Sequence, residues 1–424
     1  MVTAFRRIAE EELKQLVASL PAVAVEGPRG VGKTYLADRL AKTRYDLDIA
    51  AQREILDADP ERLDHEPTPI LLDEWQRMPE IWDVVRRSVD RDPTPGRFIL
   101  TGSAAPEDKP THSGAGRIVT MRLHPLSLAE RRIATPTVKL ADLLTGDRPA
   151  LTGDTDVDLT GYLTEITSSG FPAMRLASGR SLKALLDGYL ERIVQHDVPD
   201  QGMLVKQPRR LEAWLRAYAA AIATNASYNR ILDAATSGDD TKPARSTTEA
   251  YRDILEQLWL LDPLPAWAPT GNRLNRLSKK PKHHLADPAL AVRLLKLTQE
   301  GITHPNRQKN NAGDVETLAS RLFESLVVQS LRVYAQANDA STFHFRTHKG
   351  DREIDAIVEA DNGQVVAFEV KLGRSVKDQD VAHLLWLKSV MKDDLLDAIV
   401  VTTGQTAYRR RDGIGVVPAS LLTA

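Results

Sequence analysis

The chain has 424 residues, of which 42% are hydrophobic and 27% charged, and this length and composition predict two or three packed domains. Its 56 basic and 58 acidic residues leave a net charge of −2, which excludes a general attraction to nucleic acid or anionic membranes. Binding to nucleic acid or to such membranes would need a local patch of basic residues. Cysteine is absent, which excludes disulfides and thiolate metal sites and favours a cytoplasmic location. No apolar run approaches the ~18 residues of a membrane span, so we expect none.

The first predicted elements are a helix over Arg7–Leu20 and a short apolar strand over Ala22–Val25. The strand leads into a stretch that fits the P-loop pattern G-x-x-x-x-G-K-[ST] at every fixed position, and an amphipathic segment, Tyr35–Ala41, follows it. Because glycine lacks a Cβ, such a loop can turn tightly and aim its N–H groups at phosphate oxygens. We expect Lys33 to reach the β- and γ-phosphates and the Thr34 hydroxyl to bind Mg²⁺. The pattern predicts an ATP site formed by Gly27, Pro28, Arg29, Gly30, Val31, Gly32, Lys33 and Thr34.

A second apolar strand, Pro69–Leu72, ends in two carboxylates, which is the Walker B form. Asp73 is predicted to hold Mg²⁺ through water. Glu74 is predicted to be the catalytic base that polarises the attacking water. The alternative is a buried strand that happens to end in acidic residues.

A helix is predicted over Trp82–Val89, followed by a strand over Arg97–Ser103 that ends in polar residues. Ligand groups lie at the carboxyl ends of parallel strands, so Thr101 or Ser103 is a candidate to sense the γ-phosphate between the P-loop and Walker B strands. An ordinary Thr-Gly-Ser turn is the alternative. A further strand begins after Arg117, which is a candidate arginine finger in its own site or a neighbour's; a plain surface arginine is the alternative.

The series GPRGVGKT, ILLDEWQRMPEIWDVVRRSVD, RFILTGS and GRIVTMRLHPLSLAE closely resembles predicted AAA+ superfamily ATPases of bacteria and archaea. In that family the P-loop domain precedes a C-terminal region of unknown function. The resemblance implies an α/β P-loop NTPase with a parallel sheet of the AAA+/RecA type, with Thr101–Ser103 at the sensor position and Arg117 in a Gly-Arg element. It does not indicate what the ATPase acts on. Trp75 departs from the small aliphatic residue expected after the carboxylates.

The middle of the chain is predicted to be helical. Three helices, over Arg210–Ala223, Tyr228–Ala235 and Ser246–Leu258, precede an apolar strand, which is the order of a winged helix and of the family's middle region. Basic residues follow where a wing would lie and predict a DNA or RNA contact through phosphates. A solvated loop on a domain that contacts only protein is the alternative. These basic residues are Arg273, Arg276, Lys279, Lys280 and Lys282.

The last part of the chain is predicted to contain a long helix over Glu316–Tyr334, then a hairpin that carries one Asp and a Glu-x-Lys, and a further helix and strand. This set resembles the PD-(D/E)xK nuclease superfamily and implies a restriction-endonuclease-like α/β domain. Strand alternation puts Glu369 and Lys371 on one face, and Asp355 and Glu369 can share a Mg²⁺ or Mn²⁺ that activates water. Glu324 on the long helix is a further candidate metal ligand. A non-catalytic fold module is the alternative.

The predicted boundaries are 1–135 for the P-loop ATPase domain, 136–160 for a linker, 161–305 for the winged-helix-like domain and 306–424 for the nuclease-like domain. The first functional hypothesis is a Mg-dependent AAA+ ATPase coupled to metal-dependent nucleic-acid binding or cleavage, with Asp355, Glu369 and Lys371 as catalytic residues. The alternative is a nucleotide-dependent switch or scaffold that binds a protein partner and carries an inactive nuclease-like module.

Overall fold

The chain folds into two compact units. The computed structural model describes residues 5–103, 114–203, 205, 207–236, 245–268, 280–303, 312–347 and 350–424. Unit 1 comprises Met1–Pro125, Arg192–Lys206 and Ala250–Leu260. Unit 2 comprises Leu126–Glu191, Gln207–Glu249 and Leu261–Ala424.

Unit 1 is built on a sheet of five parallel strands in the order β2-β3-β4-β1-β5. The prediction of a parallel α/β sheet is confirmed. Strand β4 lies between the strand that precedes the P-loop and the strand that carries the acidic pair, as the sequence predicts. The strands are β1 (Ala22–Glu26), β2 (Thr43–Asp46), β3 (Ile70–Asp73), β4 (Phe98–Gly102) and β5 (Ile118–Arg122).

Helices flank this sheet and bury their apolar sides against it. Strands β3 and β4 are buried along their whole length, as expected for the interior of a parallel sheet covered on both faces. Helix α4 shows the complementary pattern, since Ile81, Val85 and Val89 are buried at a spacing of four residues. The helices are α1 (Ala9–Ser19), α2 (Lys33–Asp38), α3 (Ala50–Ala58) and α4 (Ile81–Arg91).

The middle of the chain is helical, and the predicted helix Tyr228–Ala235 has the bounds that the sequence gives it. Segments 261–264 and 282–285 are joined by isolated antiparallel bridges, Leu261 to Leu285 and Leu264 to Lys282. The winged-helix assignment stays a prediction. The helices are α5 (Leu128–Arg131), α6 (Leu140–Leu143), α7 (Leu159–Thr167), α8 (Pro172–Arg175), α9 (Gly179–Arg192), α10 (Pro208–Ala220), α11 (Tyr228–Ala235), α12 (Arg245–Gln257), α13 (Pro288–Leu294) and α14 (Gln299–Thr303).

Unit 2 also contains a mixed six-stranded sheet in the order β11-β12-β10-β9-β8-β7. The pairs β7–β8 and β8–β9 are antiparallel, whereas β9–β10 and β10–β12 are parallel. The long helix α15 (Ala312–Gln336) and helix α16 (Ala382–Met391) accompany it. The strands are β7 (Ser341–Arg346), β8 (Glu353–Glu359), β9 (Val365–Lys371), β10 (Leu395–Thr402), β11 (Tyr408–Arg409) and β12 (Gly415–Pro418).

The polar segment 136–160, for which the composition predicts a linker, forms backbone hydrogen bonds with residues near the C-terminus. Its short strand β6 (Val138–Lys139) pairs in parallel with β13 (Leu422–Thr423). The backbone N–H of Thr155 donates to the carbonyl of Gln405 at 2.8 Å. In the part of the chain that the structure describes, no helix is both long and apolar enough to cross a membrane.

Candidate functional site

The P-loop connects β1 to α2 and relies on glycine backbone geometry. Gly27, Gly30 and Gly32 have φ angles of 145°, 76° and 100°, a region that residues with a side chain rarely adopt. A Cβ on Gly27 would lie 2.3 Å from the carbonyl oxygen of Leu123, so the close approach of the β5 end also requires glycine there. The loop conformation therefore depends on the two glycines that the motif prescribes, Gly27 and Gly32, and on Gly30 at one of its variable positions.

Lys33 is buried inside the loop, where its Nζ donates to the carbonyl oxygens of Gly27 at 2.9 Å and Pro28 at 3.1 Å. Burial lowers the pKa of this amine to about 8, although the negative charges of Glu74 and Asp73 partly oppose the shift. The ammonium is therefore held at the centre of the loop, close to the acidic pair of β3.

Three oxygen-bearing side chains meet at the carboxyl edge of the sheet. Strand register places Asp73 of β3 opposite Thr101 of β4. The Thr34 hydroxyl donates to Asp73 Oδ1 at 2.8 Å, and the Thr101 hydroxyl donates to the same oxygen. Hydroxyl and carboxylate oxygens are ligands that Mg²⁺ accepts, together with waters and substrate phosphates. The residues present thus fit a magnesium ion bound with a nucleotide.

Glu74 follows directly, in a left-handed backbone conformation with φ 54° and ψ 44°. The Gln76 side-chain amide donates to Glu74 Oε2 at 2.5 Å, and its nitrogen lies 3.5 Å from the Ser103 hydroxyl at the end of β4. A Cβ on Gly102 would lie 2.7 Å from Trp75 Nε1, so the turn after β3 packs tightly on the end of β4. Gln76 was missed at the sequence level because no motif position marks it.

The two arginines predicted to touch nucleotide are placed differently. Arg29 lies in the P-loop, with its Nη1 3.4 Å from Asp197 Oδ1. Arg117 precedes β5 at the amino edge of the sheet, because the next residue pairs with Ala22 at the start of β1, and its Nε donates to Asp90 Oδ1 at 2.8 Å. The P-loop follows the opposite end of β1, so the prediction of Arg117 as a nucleotide contact within its own chain is wrong.

Arg122 is the arginine of β5 that lies at the P-loop edge, since strand register places it opposite Glu26 at the end of β1. Its guanidinium stacks on the Trp259 ring, with 4.4 Å between the guanidinium carbon and the ring centroid. The sequence contains no signal for this contact, because Trp259 is distant along the chain.

Unit 2 brings together all four residues predicted for the C-terminal site. Glu324 of α15 and Asp355 of β8 both lie within hydrogen-bonding distance of one lysine, and Asp355 Oδ2 also accepts from the backbone N–H of Val370 in β9 at 2.9 Å. Lys371 Nζ lies 3.2 Å from Glu369 Oε2 on the shared face of β9. The sequence therefore identified a real cluster of side chains.

That lysine is Lys282, which the sequence assigns to the exposed basic wing. Its side chain is only 1% exposed, and its Nζ lies 2.7 Å from Glu324, 2.9 Å from Glu353 and 3.0 Å from Asp355. The prediction that Lys282 contacts nucleic acid is therefore wrong, because its charge is used inside the cluster. Lys280 is exposed, whereas Arg273, Arg276 and Lys279 lie outside the described residues.

The charges of the cluster depend on one another. Burial alone would lower the pKa of Lys282, but Asp355, Glu324 and Glu353 raise it well above its ordinary value. Burial alone would raise the pKa of Asp355, but Lys282 and Lys371 bring it below its ordinary value. Burial, followed by the repulsion from Asp355, raises the pKa of Glu324 to about 8 and that of Glu369 well above its usual range.

The arrangement of unit 2 does not fit a divalent metal ion. The Lys282 ammonium already lies within 3.0 Å of Glu324 and Asp355, two of the three carboxylates predicted to bind the ion. Within the described ranges, no group of three or more His, Cys, Asp or Glu side chains has a geometry suited to hold a metal. The predicted metal-ligand role of Glu324 and Asp355 therefore competes with their pairing to Lys282, and the role of Glu369 stays a prediction.

Three family models match separate parts of the chain. An AAA domain matches residues 19–131, and two domains of unknown function, DUF8612 and DUF4143, match residues 161–301 and 319–422. The match of residues 19–131 to the AAA domain agrees with the parallel sheet and the P-loop geometry of unit 1 and supports a P-loop ATPase domain there.

Two relatives match along nearly the whole chain. They are uncharacterized proteins of mycobacteria, Mb2031c of Mycobacterium bovis and Rv2008c of Mycobacterium tuberculosis. Each is 26% identical over 424 residues, which covers 98% of this chain and 83% of the relative.

Among solved structures, the Walker-type ATPase PABY2304 of Pyrococcus abyssi is 15% identical. It overlaps 69% of this chain and 96% of its own, with a TM-score of 0.39. The ORC2 protein of Aeropyrum pernix is 15% identical, over 75% of this chain and 96% of its own, with a TM-score of 0.32. TM-scores this low do not establish the fold, which rests on the sheet of unit 1 and the AAA match.

Proposed function

We propose that this chain is a Mg-dependent ATPase whose hydrolytic site is the P-loop edge of unit 1. One observation carries the proposal: the hydroxyls of Thr34 and Thr101 both donate to Oδ1 of Asp73, the residue directly before Glu74. When bound with the nucleotide, Mg²⁺ would supply positive charge that offsets the charge developing on the γ-phosphate. Thr34 and Asp73 are the residues that would hold it.

The remaining side chains have separate roles in this proposal. Lys33 supplies positive charge to the β- and γ-phosphates from the centre of the loop. Glu74 accepts a hydrogen bond from the attacking water and aligns it. Gln76 holds the Glu74 carboxylate and links it to Ser103 at the end of β4, which fixes the orientation of the base.

Replacing the base while keeping its shape tests this proposal. Glu74→Gln is expected to bind ATP with near wild-type affinity and to hydrolyse it about 10²–10⁴-fold more slowly, because an amide cannot accept the proton. Turnover is measured by phosphate release and affinity by equilibrium titration. Glu80→Gln, an exposed neighbour of the same chemistry, is the matched control and should retain full turnover. Unchanged turnover in Glu74→Gln would show that Glu74 is not the base.

A second candidate is a nucleotide-dependent switch whose C-terminal module does not cut nucleic acid. The buried ammonium of Lys282 among Glu324, Glu353 and Asp355 favours it over a metal-dependent nuclease. Binding of DNA, RNA or a protein partner by the middle region stays part of both candidates.

A cleavage assay separates the two candidates. The full chain is incubated with single- and double-stranded DNA and RNA in Mg²⁺ or Mn²⁺, with and without ATP. We expect the wild type and Asp355→Ala to be equally inert on every substrate. Cleavage by the wild type that Asp355→Ala abolishes would restore the nuclease hypothesis.

A further inference from the structure

The acidic cluster of unit 2 (Glu324, Glu353, Asp355 and Glu369) gathers four carboxylates from three elements. Glu324 comes from α15, Glu353 and Asp355 from β8, and Glu369 from β9. Four carboxylates cannot all be ionised together in a largely buried region without a cation, because each ionised group raises the cost of ionising the others. The identity of that cation decides what the cluster can do.

Lys282 is fixed in the cluster by its own backbone. Its N–H donates to the carbonyl of Leu264 at 3.0 Å, and the N–H of Leu264 donates to the carbonyl of Lys282 at 2.8 Å. These two bonds fix the main chain of Lys282, and burial of the side chain, which is 1% exposed, keeps it from swinging out as a surface lysine does. Its ammonium is therefore delivered to one place.

The ammonium is fully engaged at that place. A lysine has three N–H donors, and its Nζ has one oxygen each of Glu324, Glu353 and Asp355 within 3.0 Å. A Mg²⁺ or Ca²⁺ ion would need oxygens at ~2.0–2.6 Å around the same point. The ion and the ammonium cannot both occupy it.

Lys282 is distinct from the lysine of the Glu-x-Lys pattern. Lys371 lies two residues after Glu369, on the same face of β9. It is 37% exposed, and its Nζ pairs with Glu369 Oε2 at 3.2 Å. The cluster therefore holds the full predicted set and, in addition, a buried lysine that the pattern does not include.

We propose that Lys282 permanently takes the place of a divalent cation in this cluster, so that the C-terminal domain is held together by an internal ion pair network and binds no metal there. Without the ion, no metal-bound water forms beside Asp355, and the cluster has a structural role. This inference is independent of ATP hydrolysis in unit 1.

The test compares two ways of removing the ammonium. Lys282→Ala removes the charge and leaves space, whereas Lys282→Met removes the charge and fills the space. Mn²⁺ binding is measured by electron paramagnetic resonance on the nucleotide-free full chain, and thermal unfolding is followed with and without Mn²⁺. Lys371→Ala is the matched control, since it removes the other lysine and keeps Lys282 in place.

We expect the wild type, Lys371→Ala and Lys282→Met to bind no Mn²⁺ that depends on Asp355. Lys282→Ala is expected to bind one ion, and a further Asp355→Asn change should abolish that binding. Both Lys282 variants should melt on the order of 10 °C lower than the wild type, because buried carboxylates lose their partner. Mn²⁺ should restore the melting temperature of Lys282→Ala alone.

Two results would overturn the proposal. One is Mn²⁺ binding by the wild type that Asp355→Asn removes, and this measurement decides the matter even if Lys282→Ala does not fold. The other is a folded Lys282→Ala, with wild-type circular dichroism, that binds no Mn²⁺.

Discussion

Two buried lysines differ in the direction in which their pKa moves. Burial dominates at Lys33, where the pKa falls to about 8 because its carboxylate neighbours only partly compensate. At Lys282 the three carboxylates outweigh burial and raise the pKa well above its ordinary value. The first amine is therefore poised to gain stabilisation from an incoming phosphate, whereas the second has already received its counter-charges.

The lowered pKa of Lys33 predicts a pH dependence of ATP binding. The amine is charged below pH 8 and loses its proton above it, so the affinity for ATP should fall by up to about tenfold per pH unit above 8. Equilibrium titration with a fluorescent ATP analogue between about pH 7 and 9.5 measures this. In Lys33→Arg the guanidinium stays charged throughout, so any binding that survives should not show the decline. An equal decline in both proteins would assign the pH effect to another group.

At the scale of elements, the contact between the β3 turn and the end of β4 controls the position of Glu74. Gly102 ends β4, and a Cβ there would lie 2.7 Å from Trp75 Nε1 and 2.8 Å from Gln76 Oε1. Trp75 in turn packs on Trp82, with 4.6 Å between ring centroids, so it cannot move away freely. The turn that carries the proposed base is therefore clamped from both sides.

We expect Gly102→Ala to destabilise the protein by about 1–3 kcal/mol through overpacking and to lower ATP turnover by displacing Gln76. Chemical denaturation and phosphate release measure the two effects. Gly188→Ala is the matched control, because Gly188 is an exposed residue inside α9 with nothing within 4 Å of its added Cβ. That change should stabilise the protein by about 0.5–1 kcal/mol and leave turnover unaltered. Equal stability of the two variants would contradict the tight packing of Trp75 and Gln76 on Gly102.

Elements with strong local patterns were predictable from the sequence. The parallel strands and helix α11 follow from apolar runs and helical spacing, which act over a few residues. The tight packing of Trp75 and Gln76 on Gly102 was not predictable, because it depends on which strand lies next to β3. Segment 136–160 shows the same limit, since its polar composition says nothing about the strand pairing with β13.

At the scale of the whole chain, motifs identified the side chains of both sites but not their partners. Lys282 belongs to a basic run of sequence that is typical of a solvated loop. The fold nevertheless places its ammonium against Glu324, which lies 42 positions later in the chain. Arg117 carries the family pattern, yet strand direction places it at the edge of the sheet opposite the P-loop. Residue identity thus predicted which side chains belong to each site, whereas the tertiary contacts determined which partners those side chains have.

Unit 1 draws on three separate stretches of the chain, the last of which ends at Leu260. Asp197 from the second stretch meets the P-loop residue Arg29, and Trp259 from the third stacks on Arg122. Proteins are synthesised from the N-terminus, so a nascent chain that already displays the whole P-loop still lacks these two contacts. The nucleotide-binding unit can be completed on the ribosome only after residue 260 of 424 has emerged.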